Sequence, residues 1–195
     1  MIEITFDNFY SFDSKTRKKY INDLDILKNM IKQNVSEHRY LHSLSVADTC
    51  KSLAIKHKVN PDKAYLAGLL HDCCKFPDSD KSGVLEEYLK YYDPNKLNGV
   101  YGAYHSWVGK YYLKEKLNFH DKEILNAIYN HTIIDSRDKL SLILYLADKR
   151  EPSRMINDNI LKIAETDLMG AYNQLVEDVE KYVKEHDGEF IRYSV

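Results

Sequence analysis

The dipeptide His71-Asp72 closes an apolar run, Ala64-Tyr65-Leu66-Ala67-Gly68-Leu69-Leu70. His42, His105, His131 and Asp148 are further ligand-capable residues, each in a segment that reads as helix. Imidazole and carboxylate are the donors that hold divalent iron, manganese or zinc. An ionised aspartate beside a histidine at the end of a buried helix is costly unless something pairs with it. A metal ion is such a partner. Neighbouring helical residues project about 100 degrees apart, so His71 can serve an ion from one side while Asp72 reaches towards the centre of a site. Side chains on facing helices of a bundle converge on one metal. Asp72 has two oxygens and can bridge to a second ion held by His105 and His131.

Such a site needs helices to position it, and the sequence supplies them. Residues 1–15 are irregular, consistent with a short strand or a loose arm. Residues 16–33 read as one amphipathic helix, with Ile21, Leu24, Leu27 and Ile31 on one face. Ser36 is an N-cap candidate for a helix to about Lys58 that buries Leu41, Leu44, Ala47, Leu53 and Ala54 and carries His42 near its start. Asn60-Pro61-Asp62 starts the helix that ends at His71-Asp72. A polar loop over 75–82, a short helix around 83–91 and a break at Asp93-Pro94-Asn95 follow. Helices are expected over 102–117, containing His105, and over 121–131, ending at His131. Leu140 to Ala147 form an apolar stretch within 138–149 that ends at Asp148. A last helix is expected over 157–186, with Ile160, Ile163, Leu168, Ala171, Leu175, Val179 and Tyr182 at roughly helical spacing. No segment alternates like a strand, so the fold reads as all-α.

The chain has 195 residues, 44% hydrophobic and 30% charged, with a formal net charge of −2. That length suits one domain with a terminal extension. The expected division is an N-terminal extension over 1–35, the main domain over 36–186 and a tail over 187–195. No basic block or basic excess points to nucleic acid. No apolar run is long enough to span a bilayer, and Met1 to Asp7 lack the features of a signal peptide, so a cytoplasmic location is expected. Three cysteines, Cys50, Cys73 and Cys74, do not suggest a disulfide framework. His38, His57, His120 and His186 read as surface residues and Trp107 as core. Glu165 and Asp167 are candidates to anchor a loop by hydrogen bonds.

The order of ligands, His42, then His71-Asp72, then Asp148, resembles the HD superfamily of metal-dependent phosphohydrolases. The finer resemblance is to the YqeK family, whose members hydrolyse diadenosine tetraphosphate symmetrically to two ADP. It is carried by His38-Arg39-Tyr40-Leu41-His42, Ala67-Gly68-Leu69-Leu70-His71-Asp72-Cys73-Cys74-Lys75 and His105-Ser106-Trp107-Val108-Gly109. It continues through Ile124 to Thr132, Tyr145 to Arg154 and Ala164 to Leu168. Two departures stand out. Ser45 occupies a position where family members often carry arginine, and Ile133 to Lys139 contain none of the glycines of the family's loop.

The resemblance implies an HD-domain helical bundle holding one or two divalent ions, iron first, with manganese or zinc as alternatives. It implies His42, His71, Asp72 and Asp148 as ligands of a first ion. His105 and His131 are implied as ligands of a second, or as contacts to water and phosphate. Asp72, Lys75, His105 and His131 are the expected catalytic residues. Lys75, Arg137 and Arg154 are the expected phosphate contacts, since arginine offers a fork to phosphate oxygens and lysine a point charge. The implied substrate is a dinucleoside polyphosphate, the product a nucleoside diphosphate, and the attacking group a metal-activated water. Nucleic acid and membrane are not expected as partners, and a homodimer is left open. Two other readings stay open: an HD phosphohydrolase for another nucleotide, and a nucleotide-binding module that does not catalyse.

Overall fold

A computed structural model of the chain describes residues 4–5, 8–75, 104–132, 134, 136–149 and 158–185. The polar loop beyond Lys75, the helix around 83–91, the break at 93–95, Arg154, His186 and the tail from 187 lie outside the described residues. The described residues are helical, without a strand among them. Among them no helix is long and apolar enough to cross a membrane.

A 3-10 turn, Phe9–Ser11, precedes α1 (Ser14–Ile21) and α2 (Leu24–Asn34). The single helix expected over 16–33 is therefore two. The break comes at Asn22-Asp23, where the Asp23 carboxylate accepts from the backbone N–H groups of Asp25 and Ile26. A side chain that satisfies the first N–H groups of a new helix favours a fresh start over continuation. Phe9, Ile21, Leu27, Met30 and Ile31 of this N-terminal part are buried in the same apolar cluster as the later helices.

Helix α3 (Glu37–Lys56) begins at the Ser36 cap, whose side chain accepts from the Arg39 N–H. Leu41 on it is 58% exposed rather than buried, because α3 turns Ser43, Val46, Ala47, Cys50, Leu53 and Ala54 inward instead. Helix α4 (Pro61–Leu70) begins at Asn60 with proline in its first turn. Among the described residues, its packing along α3 is the most extensive between two helices. Helix α5 (Tyr104–Tyr111) runs into a π-helical turn, Tyr112–Lys116. Helix α6 (Lys122–Asn130) is capped by Asp121 and α7 (Lys139–Asp148) by Asp138. The helix expected over 157–186 is also two, α8 (Asp158–Ala164) and α9 (Leu168–Glu185). Asp167 causes this break: its carboxylate accepts from the Gly170 N–H at 2.9 Å, while Glu165 pairs with Lys56 at 2.7 Å. Tyr182 on α9 is 46% exposed and lies off the apolar face expected for it. His57 is half-buried rather than at the surface, since its Nε2 donates to the Ala164 carbonyl at 2.6 Å.

The α3–α4 contact is close because Gly68 lies against the α3 backbone. A Cβ at position 68 would meet the Ala47 Cα at 2.6 Å and its nitrogen at 2.8 Å. Backbone cannot yield as a flexible side chain does, so the two helices would have to separate. Overpacking of this kind costs about 1–3 kcal/mol. Gly68→Ala is expected to lower the urea midpoint by a corresponding amount at unchanged m-value. An unshifted midpoint would show that the helices part without cost.

Candidate metal centre

The ligand-capable residues come from helix ends. His42 sits in the second turn of α3, and His71 is the C-cap of α4 with Asp72 next to it. His105 lies in the first turn of α5. His131 is the C-cap of α6, and Asp148 is the last residue of α7. Three helices thus direct their carboxyl-terminal ends, which carry partial negative charge, towards one place. That arrangement favours a cation there.

The side chains meet. His42 Nε2 lies 3.1 Å from Asp148 Oδ1, and His71 Nε2 lies 3.3 Å from the same oxygen. Asp72 Oδ1 is 3.6 Å from His71 Nε2, 3.3 Å from His105 Nε2 and 3.6 Å from His131 Nε2. His105 Nε2 and His131 Nε2 are 3.0 Å apart. Two groups of donors result, His42-His71-Asp72 and Asp72-His105-His131, each within 4.8 Å. They share Asp72.

Two atoms test whether an ion fits. His71 Nε2 and Asp72 Oδ1 are buried, and neither has a hydrogen-bond partner. Such orphans are rare and costly in a folded protein. His71 Nδ1 contacts the Gly68 carbonyl at 2.7 Å, and His131 Nδ1 the Ile128 carbonyl at 2.6 Å. A carbonyl only accepts, so both Nδ1 atoms carry the proton and both Nε2 atoms present lone pairs. His105 Nε2 and His131 Nε2 lie within hydrogen-bonding distance of each other and beside Asp72 Oδ1. The donor set therefore fits a divalent cation.

The electrostatics divide the histidines. Burial alone would hold His71 neutral, but the Asp72 and Asp148 carboxylates outweigh it and raise its pKa. Burial lowers His105 and takes His131 down to about 4. A neutral imidazole is the form that ligates metal. Burial opposes ionisation of Asp72, yet His71, His105 and His131 hold its carboxyl well below the usual range. Asp148 is likewise kept ionised against burial, chiefly by Lys149 and then by His42 and His71.

The other expected site residues are placed less uniformly. Lys75 Nζ lies 3.5 Å from Asp72 Oδ2, at the rim. Arg137 is exposed at the start of α7, at the opposite end of that helix from Asp148. The buried Cys73 and Cys74 thiols belong to neither donor group. Two cations at the centre were not singled out as site residues from sequence. Arg39 Nη1 meets Asp72 Oδ2 at 2.6 Å, and Lys149 Nζ meets Asp148 Oδ2 at 2.8 Å. The signal for Arg39 was its spacing: it lies three residues before His42 and so shares its helix face.

Comparison with known proteins agrees with this geometry. The family model of the HD domain matches residues 39–153, which hold every candidate ligand. The chain belongs to the HD-domain family. The symmetrical bis(5'-nucleosyl)-tetraphosphatase of Halalkalibacterium halodurans is 32% identical over 153 residues, covering 73% of this chain and 77% of that protein. The protein of the same name from Bacillus subtilis is 32% identical over 155 residues, covering 76% and 81%. A probable nicotinate-nucleotide adenylyltransferase/Ap4A hydrolase of Mycoplasma genitalium is 34% identical over 165 residues. This chain spans about half the length of that relative, 46%, with 80% of its own residues matched. Among solved structures, a predicted HD superfamily hydrolase involved in NAD metabolism from Clostridium acetobutylicum superposes with a TM-score of 0.74 at 29% identity. The match covers 87% of this chain and 91% of that one. The chain carries an HD domain with an all-α fold among its described residues, and its His/Asp centre is of the kind that holds divalent metal.

An ion that binds only the folded state stabilises it by RT ln(1 + [L]/Kd), about 2.7 kcal/mol at a hundredfold excess over Kd. Metal-free protein is expected to gain thermal stability on adding a divalent ion, and to lose that gain with a chelator. Asp72→Asn removes the ligand common to both donor groups and should abolish most of the gain. An equal gain in Asp72→Asn would place the ion elsewhere.

Proposed function

We propose that the chain hydrolyses dinucleoside tetraphosphates symmetrically, with diadenosine tetraphosphate giving two ADP. The observation that carries this reading is the convergence of four histidines and two aspartates on an orphaned, buried donor pair. That convergence lies in a chain about 32% identical to proteins named for this reaction. Imidazole with carboxylate suits borderline and hard divalent ions. Iron, which the resemblance implies, is our assignment, with manganese and zinc as alternatives.

His42, His71, Asp72 and Asp148 would hold one ion, and Asp72, His105 and His131 would receive a second or a water. A divalent ion there acidifies water and polarises a phosphoryl oxygen. The chain's own residues do the rest. Burial favours the neutral form of His105 and His131, the form that ligates metal. Lys75 is partly exposed and only 3.5 Å from Asp72 Oδ2, a loose contact that a phosphate can displace. It would then neutralise charge on the polyphosphate as the bridging bond breaks. Arg154, and Arg137 from the far end of α7, are assigned to phosphate on the resemblance. Symmetrical cleavage means that water attacks the second phosphorus from one nucleoside and a nucleoside diphosphate leaves.

Anaerobically purified protein given diadenosine tetraphosphate should yield ADP as the only nucleotide product by ion-exchange chromatography. Asp72→Asn should retain native helix content and lose turnover by more than about a hundredfold, beyond the 10–100-fold typical of groups one step removed from the metal. AMP with ATP would refute symmetrical cleavage. Saturable binding without turnover in metal-loaded protein would replace the enzyme by a nucleotide-binding module.

A further inference from the structure

Both carboxylates at the centre are divided in the same way. Asp72 turns Oδ1 to His105 and His131, at 3.3 and 3.6 Å, and gives Oδ2 to Arg39 Nη1 at 2.6 Å. Asp148 turns Oδ1 to His42 and His71, at 3.1 and 3.3 Å, and gives Oδ2 to Lys149 Nζ at 2.8 Å. In each, one oxygen faces the histidines and the other is held by a cation at the rim.

Covalent geometry does not enforce this division. The terminal torsion of aspartate is broad and roughly two-fold, so a carboxylate swings until a partner stops it. Asp72 is only 1% exposed, and water does little to fix it. Arg39 supplies the missing restraint as a short, charge-assisted hydrogen bond. Its own place is well determined. The Ser36 hydroxyl accepts from the Arg39 N–H at 3.3 Å, which pins the first turn of α3. One turn of that helix thus delivers Arg39 to one carboxylate and His42 to the other.

We propose that Arg39 is a positioning residue of the metal centre. It takes Asp72 Oδ2 out of play and holds Oδ1 as the ion-binding oxygen shared by the two donor groups. Asp72 would accordingly offer an ion Oδ1, with Oδ2 engaged by Arg39. Lys75, 3.5 Å from the same Oδ2, is too distant to replace the guanidinium. Arg39 stays on Asp72 when substrate enters, because leaving would strip a buried carboxylate of its short partner. The inference depends on the metal centre and not on the identity of the nucleotide.

Removing the guanidinium has two opposed consequences. Lost orientation weakens metal binding, while lost repulsion between two cations strengthens it. The coordination spectrum separates them. Metal-free wild-type, Arg39→Met and Arg39→Lys proteins are titrated with Co2+, following visible absorption and competition with a chelator, with helix content checked by circular dichroism. Arg39→Met is expected to lose about 10–100-fold in Co2+ affinity, as groups that orient metal ligands do, and to change the visible spectrum. Arg39→Lys should recover part of both. A wild-type spectrum in Arg39→Met, at equal or higher affinity, would overturn the proposal. So would unchanged Co2+ binding with a raised KM for diadenosine tetraphosphate, which would make Arg39 a substrate contact. Should Arg39→Met not fold, Arg39→Gln is read by the same outcomes. The cobalt readouts need no substrate, so the proposal and the tetraphosphatase reading can fail separately.

Discussion

The structure depends on keeping the Asp72 carboxylate ionised where water scarcely reaches it. An unpaired charge in such a place costs several kcal/mol. The surrounding groups answer that cost from two sides. Arg39 and Lys75 lie against Oδ2, and three imidazoles surround Oδ1 without satisfying it by a hydrogen bond. The unsatisfied oxygen is where an ion belongs. Asp72 is also the member common to both donor groups, so the helices bearing His42, His71, His105 and His131 meet around this one side chain.

Gly68 links that requirement to the packing. Its lack of a side chain lets α4 lie against the Ala47 backbone, which fixes the spacing of the helices carrying His42 and His71. Its carbonyl also accepts from His71 Nδ1 at 2.7 Å, which sets the tautomer and aims Nε2 at Asp148. One residue thereby couples the helix–helix distance to the direction of a ligand. Ile128 plays the second part for His131, through a carbonyl at 2.6 Å. In both cases the orienting carbonyl lies three residues before the histidine. A histidine at the end of a helix thus takes its orienting partner from its own last turn.

Much of this was legible in the sequence, and the exceptions have physical causes. Residue type and order marked His42, His71, Asp72, His105, His131 and Asp148, and the structure gathers them. The helix starts at Ser36, Asn60 and Asp121 were readable because capping residues precede apolar periodicity. The breaks at Asp23 and Asp167 were not, because the apolar spacing continues in phase across them. Only the observed bonds from Asp25, Ile26 and Gly170 show that these aspartates act as caps. Leu41 was misplaced because a helix with apolar residues on several sides does not reveal which stripe faces inward. Spacing puts Arg39 on the face of His42, but residue type alone does not tell a surface arginine from one that reaches back to a buried carboxylate.

The charge pattern of the site explains how one protein holds a cation and receives a polyanion. Carboxylates and helix carboxyl-termini lie innermost, where they favour a divalent ion. Arg39, Lys75 and Lys149 form the next layer, each against a carboxylate oxygen turned away from the histidines. Once an ion is bound, the two carboxylates no longer balance the ion and the three cations together, and the mouth becomes positive. The chain as a whole carries a net charge of −2, so this field is local. Within about a Debye length, near 8 Å at physiological salt, a phosphate chain responds mainly to the rim. A bound divalent ion would thus strengthen the attraction for phosphate. Without the ion, the two carboxylates offset two of the three cations, and the excess at the rim is smaller.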